Sequence, residues 1–161
     1  MIVLGVDPGS ASTGFGLIRA VGGRLIRIHS GEIRPPRNAP FPEKLQVVYR
    51  GVRDLLDREA VDEAAVEDLF QGVNPRTVAR IGLVRGVVLL AAADSSVSIA
   101  EYPPARIKSA VTGNGQATKE QVRYMVRSIL DLADLSGSTD ESDALAVAIC
   151  HCHRVAREGA R

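Results

Sequence analysis

Four carboxylates stand out by where the chain pattern puts them: Asp7, Glu67, Asp140 and Asp143. Asp7 ends the run Ile2-Val3-Leu4-Gly5-Val6, the kind of apolar stretch that forms a strand buried on both faces. An acid there is costly unless a cation or a hydrogen-bond network compensates it. Pro8-Gly9-Ser10 follows, small and turn-forming, and leaves space beside the carboxylate. Two readings are open for Asp7 alone: a metal ligand at the centre of an active site, or a strand-end Asp that caps its own turn. Glu67 ends a second short apolar run, Ala64-Ala65-Val66, and Asp140 and Asp143 share one face of a predicted terminal helix. If the strands of Asp7 and Glu67 are parallel neighbours, the two acids lie side by side at strand ends, where open sheets bind ligands. Carboxylates crowded in one cleft repel each other unless a cation is present. An all-oxygen site suits Mg2+ or Mn2+. Two such ions about 4 Å apart activate water and stabilise the leaving oxygen of a phosphodiester. The plain alternative is four solvated acids among 19 Asp and Glu.

The elements that must position these acids are readable in order. Gly14 to Val21 is a second strand, Gly22-Gly23 a tight hairpin turn, and Arg24 to Ile33 a third strand. Prolines 35, 36, 40 and 42 make a loop before a helix from Glu43 to Arg58 with Leu45, Val48, Val52, Leu55 and Leu56 on one face. The strand of Val66 comes next. Asn74 then caps a helix with Pro75 at its first position, and this helix is apolar almost all round from Ile81 to Ala93. Val97 to Tyr102 is the fifth strand, followed by a short helix from Ala105 to Thr112. Thr118 and Gln121 form a capping box for a helix whose Val122, Met125, Val126, Ile129, Leu130 and Ala133 face the core. The last helix spans about Asp140 to Arg157, with Leu145, Ala148, Ile149 and Cys152 inward. The fold class that follows is α/β: a mixed five-stranded sheet with helices on both faces, in a single domain over residues 1–161.

Net charge is only +1, so a nucleic-acid surface has to come from segregated charge. Lys119, Arg123 and Arg127 are spaced as one stripe along a helix, with Arg106 and Lys108 just before it; Arg76 and Arg80 are a weaker pair. Arginine supplies 17 of the 20 basic residues and suits phosphate contacts. No apolar run approaches the roughly 18 residues of a membrane span, and no basic region precedes the first apolar segment, which points to the cytoplasm. Cys150 and Cys152 lie too close on one helix to bridge, in keeping with a reducing compartment. His151-Cys152-His153 does not read as a zinc site, because adjacent helical residues diverge by about 100°.

The chain resembles the RuvC family of bacterial Holliday junction resolvases over nearly its whole length. The residues that carry the likeness are Gly5-Val6-Asp7-Pro8-Gly9-Ser10, Thr13-Gly14-Phe15-Gly16, Val66-Glu67 with Phe70, and Arg85-Gly86. They continue with Tyr102-Pro103, Lys108, Gly113, Lys119 and Asp143-Ala144-Leu145-Ala146-Val147-Ala148. The resemblance implies a ribonuclease H-like fold, a homodimer, and Mg2+-dependent paired nicking of four-way DNA junctions, with two ions per active site and Mn2+ as a substitute. It also implies work alongside the RuvA–RuvB branch-migration complex. By position Asp7, Glu67, Asp140 and Asp143 look like the family's four catalytic acids, although the third is His in some relatives. Lys108 and Lys119 take DNA-binding roles by the same likeness. Asp68 and Glu141 add acids where neutral or variable residues are expected.

Phe70, three residues after Glu67 among polar and small neighbours, reads as an aromatic that stacks on a base near the crossover. Arg123 and Arg76 are further candidate DNA contacts. A dimer contact is expected on the helix from Pro75 to Ala93, where Gly82 and Gly86 permit close approach. Asp7-Pro-Gly-Ser also resembles the phosphate loop of sugar kinase and Hsp70-type ATPases, but those need a second lobe that 161 residues cannot supply. Two other functions are an RNA-directed nuclease of the same superfamily and an inactive junction-binding module; the intact acids argue against the second.

Overall fold

The computed structural model of the chain describes residues 1–68, 74–133 and 139–159. Its sheet is built outward from β1 (Ile2–Pro8). On one side β2 (Thr13–Val21) pairs antiparallel with β1, and β3 (Arg24–Ile33) pairs antiparallel with β2. On the other side β4 (Glu63–Glu67) is parallel to β1, and β5 (Ser98–Tyr102) is parallel to β4. The order β3-β2-β1-β4-β5 is the expected mixed sheet. Gly22 and Gly23 turn the β2–β3 hairpin at φ 56° and 77°, a region that residues with a Cβ rarely enter.

Side chains alternate along the central strands, as strand geometry requires. Leu4, Val6, Leu17 and Val66 face one layer, made by α1 (Phe41–Arg58) and α2 (Pro75–Asp94). Val3, Ile18 and Ala65 face the other, made by α3 (Pro104–Thr112), α4 (Lys119–Ile129) and α5 (Thr139–Gly159). The start signals hold in detail. Asn74 Oδ1 accepts from the Arg76 amide, and both bonds of the Thr118–Gln121 capping box are made. One expectation fails at the far end of α4. Val122, Val126 and Leu130 are buried, but Ala133 is exposed, because the helix stops at Ile129 and Asp131 turns the chain at φ 50°. A periodicity argument runs past such a stop.

α5 lies directly on the sheet and is buried from Glu141 to Cys152 except at Asp143. Glycines make this approach possible. Gly5 pairs with Gly16 across β1 and β2, and Asp7 pairs with Gly14. A Cβ on Gly5 would overlap the Ala144 carbonyl oxygen, and one on Gly14 would overlap that of Asp140. The glycines therefore clear a lane for the first turns of α5, and that lane ends beside Asp7.

Candidate active site

The parallel register pairs Val6 with Val66, so the next residues, Asp7 and Glu67, emerge side by side at the ends of β1 and β4. α5 brings Asp143 against them. The three acids line a cavity of about 290 Å3 that also takes Lys108 from α3 and Lys119 from α4, with Ile107, Val122 and Ala146 as apolar wall. The Asp7 carboxyl is pushed up to about 8, first by burial and then by the charges of Glu67, Asp143 and Asp140. Glu67 is also raised, mainly by burial; the hydrogen bond from Asp7 works the other way, as do Lys119 and Lys108. Near neutrality Asp7 thus holds a proton and donates it to Glu67.

Asp140 reaches this group only through its field. Its side chain accepts a short hydrogen bond from Ser12 Oγ, in the turn after β1, which ties the start of α5 to that turn. Asp143 is held by Lys119, Nζ to Oδ2 3.1 Å. Among the described residues no three His, Cys, Asp or Glu groups close into a ready coordination shell. The donor chemistry still fits a hard divalent cation: oxygen ligands only, converging on one cavity, with excess negative charge that a proton and two ammonium groups offset.

The two extra acids turn elsewhere. Glu141 is buried and accepts from Ser30 Oγ at 2.6 Å on β3, with the Arg27 guanidinium at 3.7 Å. Asp68 meets Arg85 of α2 at 3.1 Å, and Arg85 also pairs with Glu101. The basic stripe is broken by structure. Lys119 turns its ammonium group into the acidic cavity, whereas Arg127 donates to the Ala133 carbonyl at 2.6 Å, beyond the end of α4. Arg123 is half-buried on α4, and Arg76 is exposed in the first turn of α2. Arg80 stacks on Phe41 at 5.5 Å, so it does not act with Arg76 as a pair of free cations. Phe70 lies outside the described residues.

One network had no sequence signal beyond the residue types. Arg154 Nε donates to Tyr102 Oη at 2.6 Å, Tyr102 Oη meets His151 Nδ1 at 2.9 Å, and His151 Nε2 meets Glu63 Oε2 at 2.8 Å. Burial lowers the His151 pKa, although the bond to Glu63 opposes it. The neutral tautomer with a proton on Nε2 satisfies every partner in the chain. His151 is therefore a core histidine that joins α5 to β4 and β5. Burial raises the Cys150 and Cys152 thiols to about 11, which keeps both protonated and argues further against a thiolate metal site here.

A mixed sheet of this order, crossed by a helix that delivers acids to the ends of β1 and β4, defines a nuclease of the ribonuclease H-like class. The solved structure of Thermus thermophilus RuvC superposes with a TM-score of 0.89 at 31% identity, covering 99% of this chain and 97% of that one. The structure titled as T. thermophilus RuvC in complex with Holliday junction substrate gives 0.88 at 29% identity with the same coverage. The crossover junction endodeoxyribonuclease RuvC of Desulforamulus reducens is 43% identical over 161 residues, all of this chain and 99% of that protein. The sequence model for crossover junction endodeoxyribonuclease RuvC matches residues 3–151, and the chain belongs to that family. Nucleases of this family depend on divalent metal.

Proposed function

We propose that this chain resolves four-way DNA junctions by paired symmetric nicks, in homologous recombination and DNA repair, with Asp7, Glu67, Asp140 and Asp143 as catalytic acids and ligands for two Mg2+ ions. Family membership supports the nuclease action and the junction substrate. The observation that supports the residue assignment is the Asp7–Glu67–Asp143 cavity, where Asp7 is forced to keep a proton near neutrality. Ions bound there would activate the attacking water and stabilise the leaving oxygen. Mn2+, with the same preference for oxygen ligands, would substitute.

The chain's own residues do the rest. Lys108 and Lys119 line the cavity and supply the positive charge that a phosphate diester would meet there, and Arg123 and Arg76 extend the backbone contacts. Ser12 Oγ donates to Asp140 and orients this ligand, while Gly14 fixes its backbone. The apolar wall of Ile107, Val122 and Ala146 lowers the local dielectric and strengthens each charge interaction. Phe70, just beyond Glu67, stacks on a base loosened at the crossover and helps bring the scissile phosphate to the acids.

Two nicks need two active sites, and a twofold dimer supplies them. Leu83 and Leu90 on α2 are 55% and 53% exposed and lie two turns apart on one face, with Gly86 open between them. We read this apolar stripe as the contact between two copies. Residues 1–161 act as one domain, in the cytoplasm and alongside RuvA–RuvB; no described helix is long and apolar enough to cross a membrane. The test is cleavage of a labelled synthetic four-way junction in Mg2+, beside linear duplex and an RNA–DNA hybrid. Paired cuts at the junction alone are expected. Preferential cutting of the hybrid would favour a different ribonuclease H-like activity, and junction binding without cutting would point to an inactive binding module.

A further inference from the structure

Lys119 is an odd residue to find turned inward. Its side chain is 69% exposed, yet its ammonium nitrogen lies 3.1 Å from Asp143 Oδ2, inside the acidic cavity. Its backbone is fixed, because it is the first residue of α4 immediately after the capping Thr118. Its four-carbon stem is free to swing. Lys108 lines the same cavity but makes no ion pair among the described residues. Asp143 is 22% exposed, but the lysine side of the pair is open to solvent, so the ammonium group is readily exchanged. A divalent cation carries twice the charge and takes several carboxylates at once, so it outcompetes a single ammonium group for Asp143.

Resting on the metal-site reading above, we propose that Lys119 is a displaceable internal counter-ion of Asp143. Without metal it neutralises that carboxylate and keeps the crowded acids together. Metal entry expels the ammonium group to the cavity mouth, where it meets a DNA phosphate. Metal binding and junction binding are then coupled through one side chain, and by linkage each strengthens the other to the same degree.

The test measures Mn2+ binding to the full-length protein without DNA, from the free-ion electron paramagnetic resonance signal. Lys119→Gln should bind Mn2+ roughly two- to fivefold more tightly than wild type, the span an exposed ion pair is worth. Lys119→Arg, which keeps a cation opposite Asp143, should stay close to wild type. Lys108→Gln should change affinity less than Lys119→Gln does, because Lys108 lines the cavity without an ion pair to any of its acids. In a second readout, Ca2+ should tighten junction binding by wild type more than by Lys119→Gln. Equal Mn2+ affinity in wild type and Lys119→Gln, or an equal gain in Lys108→Gln, overturns the exchange while leaving the metal site standing. Absence of Mn2+ binding by wild type at millimolar concentration overturns both. Undiminished Ca2+ coupling in Lys119→Gln overturns the DNA half of the proposal.

Discussion

His151 on α5 holds Glu63 on β4 at 2.8 Å, and two of the acids that line the cavity lie on the same two elements: Glu67 four residues further along β4, Asp143 about two turns back along α5. The clasp therefore sets how far α5 slides along β4, and with it the spacing of Asp143 from Glu67.

Replacing His151 by Phe fills similar volume but removes one hydrogen bond from Glu63 and one from the Tyr102 hydroxyl, which then keep only Arg154 among the described residues. Stability should fall by about 1–2 kcal/mol in urea unfolding, the net worth of two lost hydrogen bonds. In wild type the depressed His151 pKa means that the unfolded state takes up a proton first as pH falls below about 6.5. Stability from this group is thus fully present above that pH and is lost toward acid. The variant should show a shallower loss between about pH 6.5 and 5, and an unchanged slope would show that His151 is not held neutral.

Asp7→Asn should abolish cleavage, because an amide cannot neutralise metal as a carboxylate does, while junction binding persists through basic residues. It should also stabilise the metal-free protein at alkaline pH. The folded state holds the Asp7 proton up to about 8 against 3.8 for the ordinary value. Stability is therefore whole at low pH and declines as pH rises through that window. With no charge to form, the variant should melt several degrees above wild type at about pH 8.5 and nearer to it at about pH 5. A lower melting temperature at both would contradict the crowding of charge around Asp7.

Gly14→Ala tests the lane under α5. The added methyl meets the Asp140 backbone, which cannot yield without moving the first turn of the helix. A stability loss of about 1–3 kcal/mol is expected from such overpacking. Cleavage should fall further than that loss explains, by roughly a hundredfold, since an ångström of misplacement is that costly to catalysis. Normal turnover in a folded variant would mean that the start of α5 is not fixed by this contact.

Leu83→Asp or Leu90→Asp puts a charge in the apolar stripe on α2 without touching its buried face of Val84, Val88 and Ala91. Sedimentation should shift from dimer to monomer at micromolar concentration, with circular dichroism unchanged. The monomer should make single, unpaired nicks. A variant that remains dimeric places the subunit contact elsewhere.

Local chemistry was enough to read much of this molecule from its amino acids. Apolar runs ending in Asp7 and Glu67, the Gly22-Gly23 turn, the Asn74-Pro75 start and the Thr118–Gln121 box each act within a few residues, so their geometry is dictated by neighbours in the chain. The pairing of Asp7 with Glu67 followed once β1 and β4 were parallel. Which partner each side chain chooses was decided only by the tertiary structure. Glu141 turns to Ser30 while Asp143, two residues on, turns to the cavity, because successive helical residues point about 100° apart and the sheet lies on only one side. Lys119 brings its ammonium group to Asp143, and His151 is a clasp rather than a ligand, because α5 brings together positions 24 and 88 residues apart. No periodicity encodes contacts of that separation; they exist only when the glycine lane lets the last helix settle against the first strand.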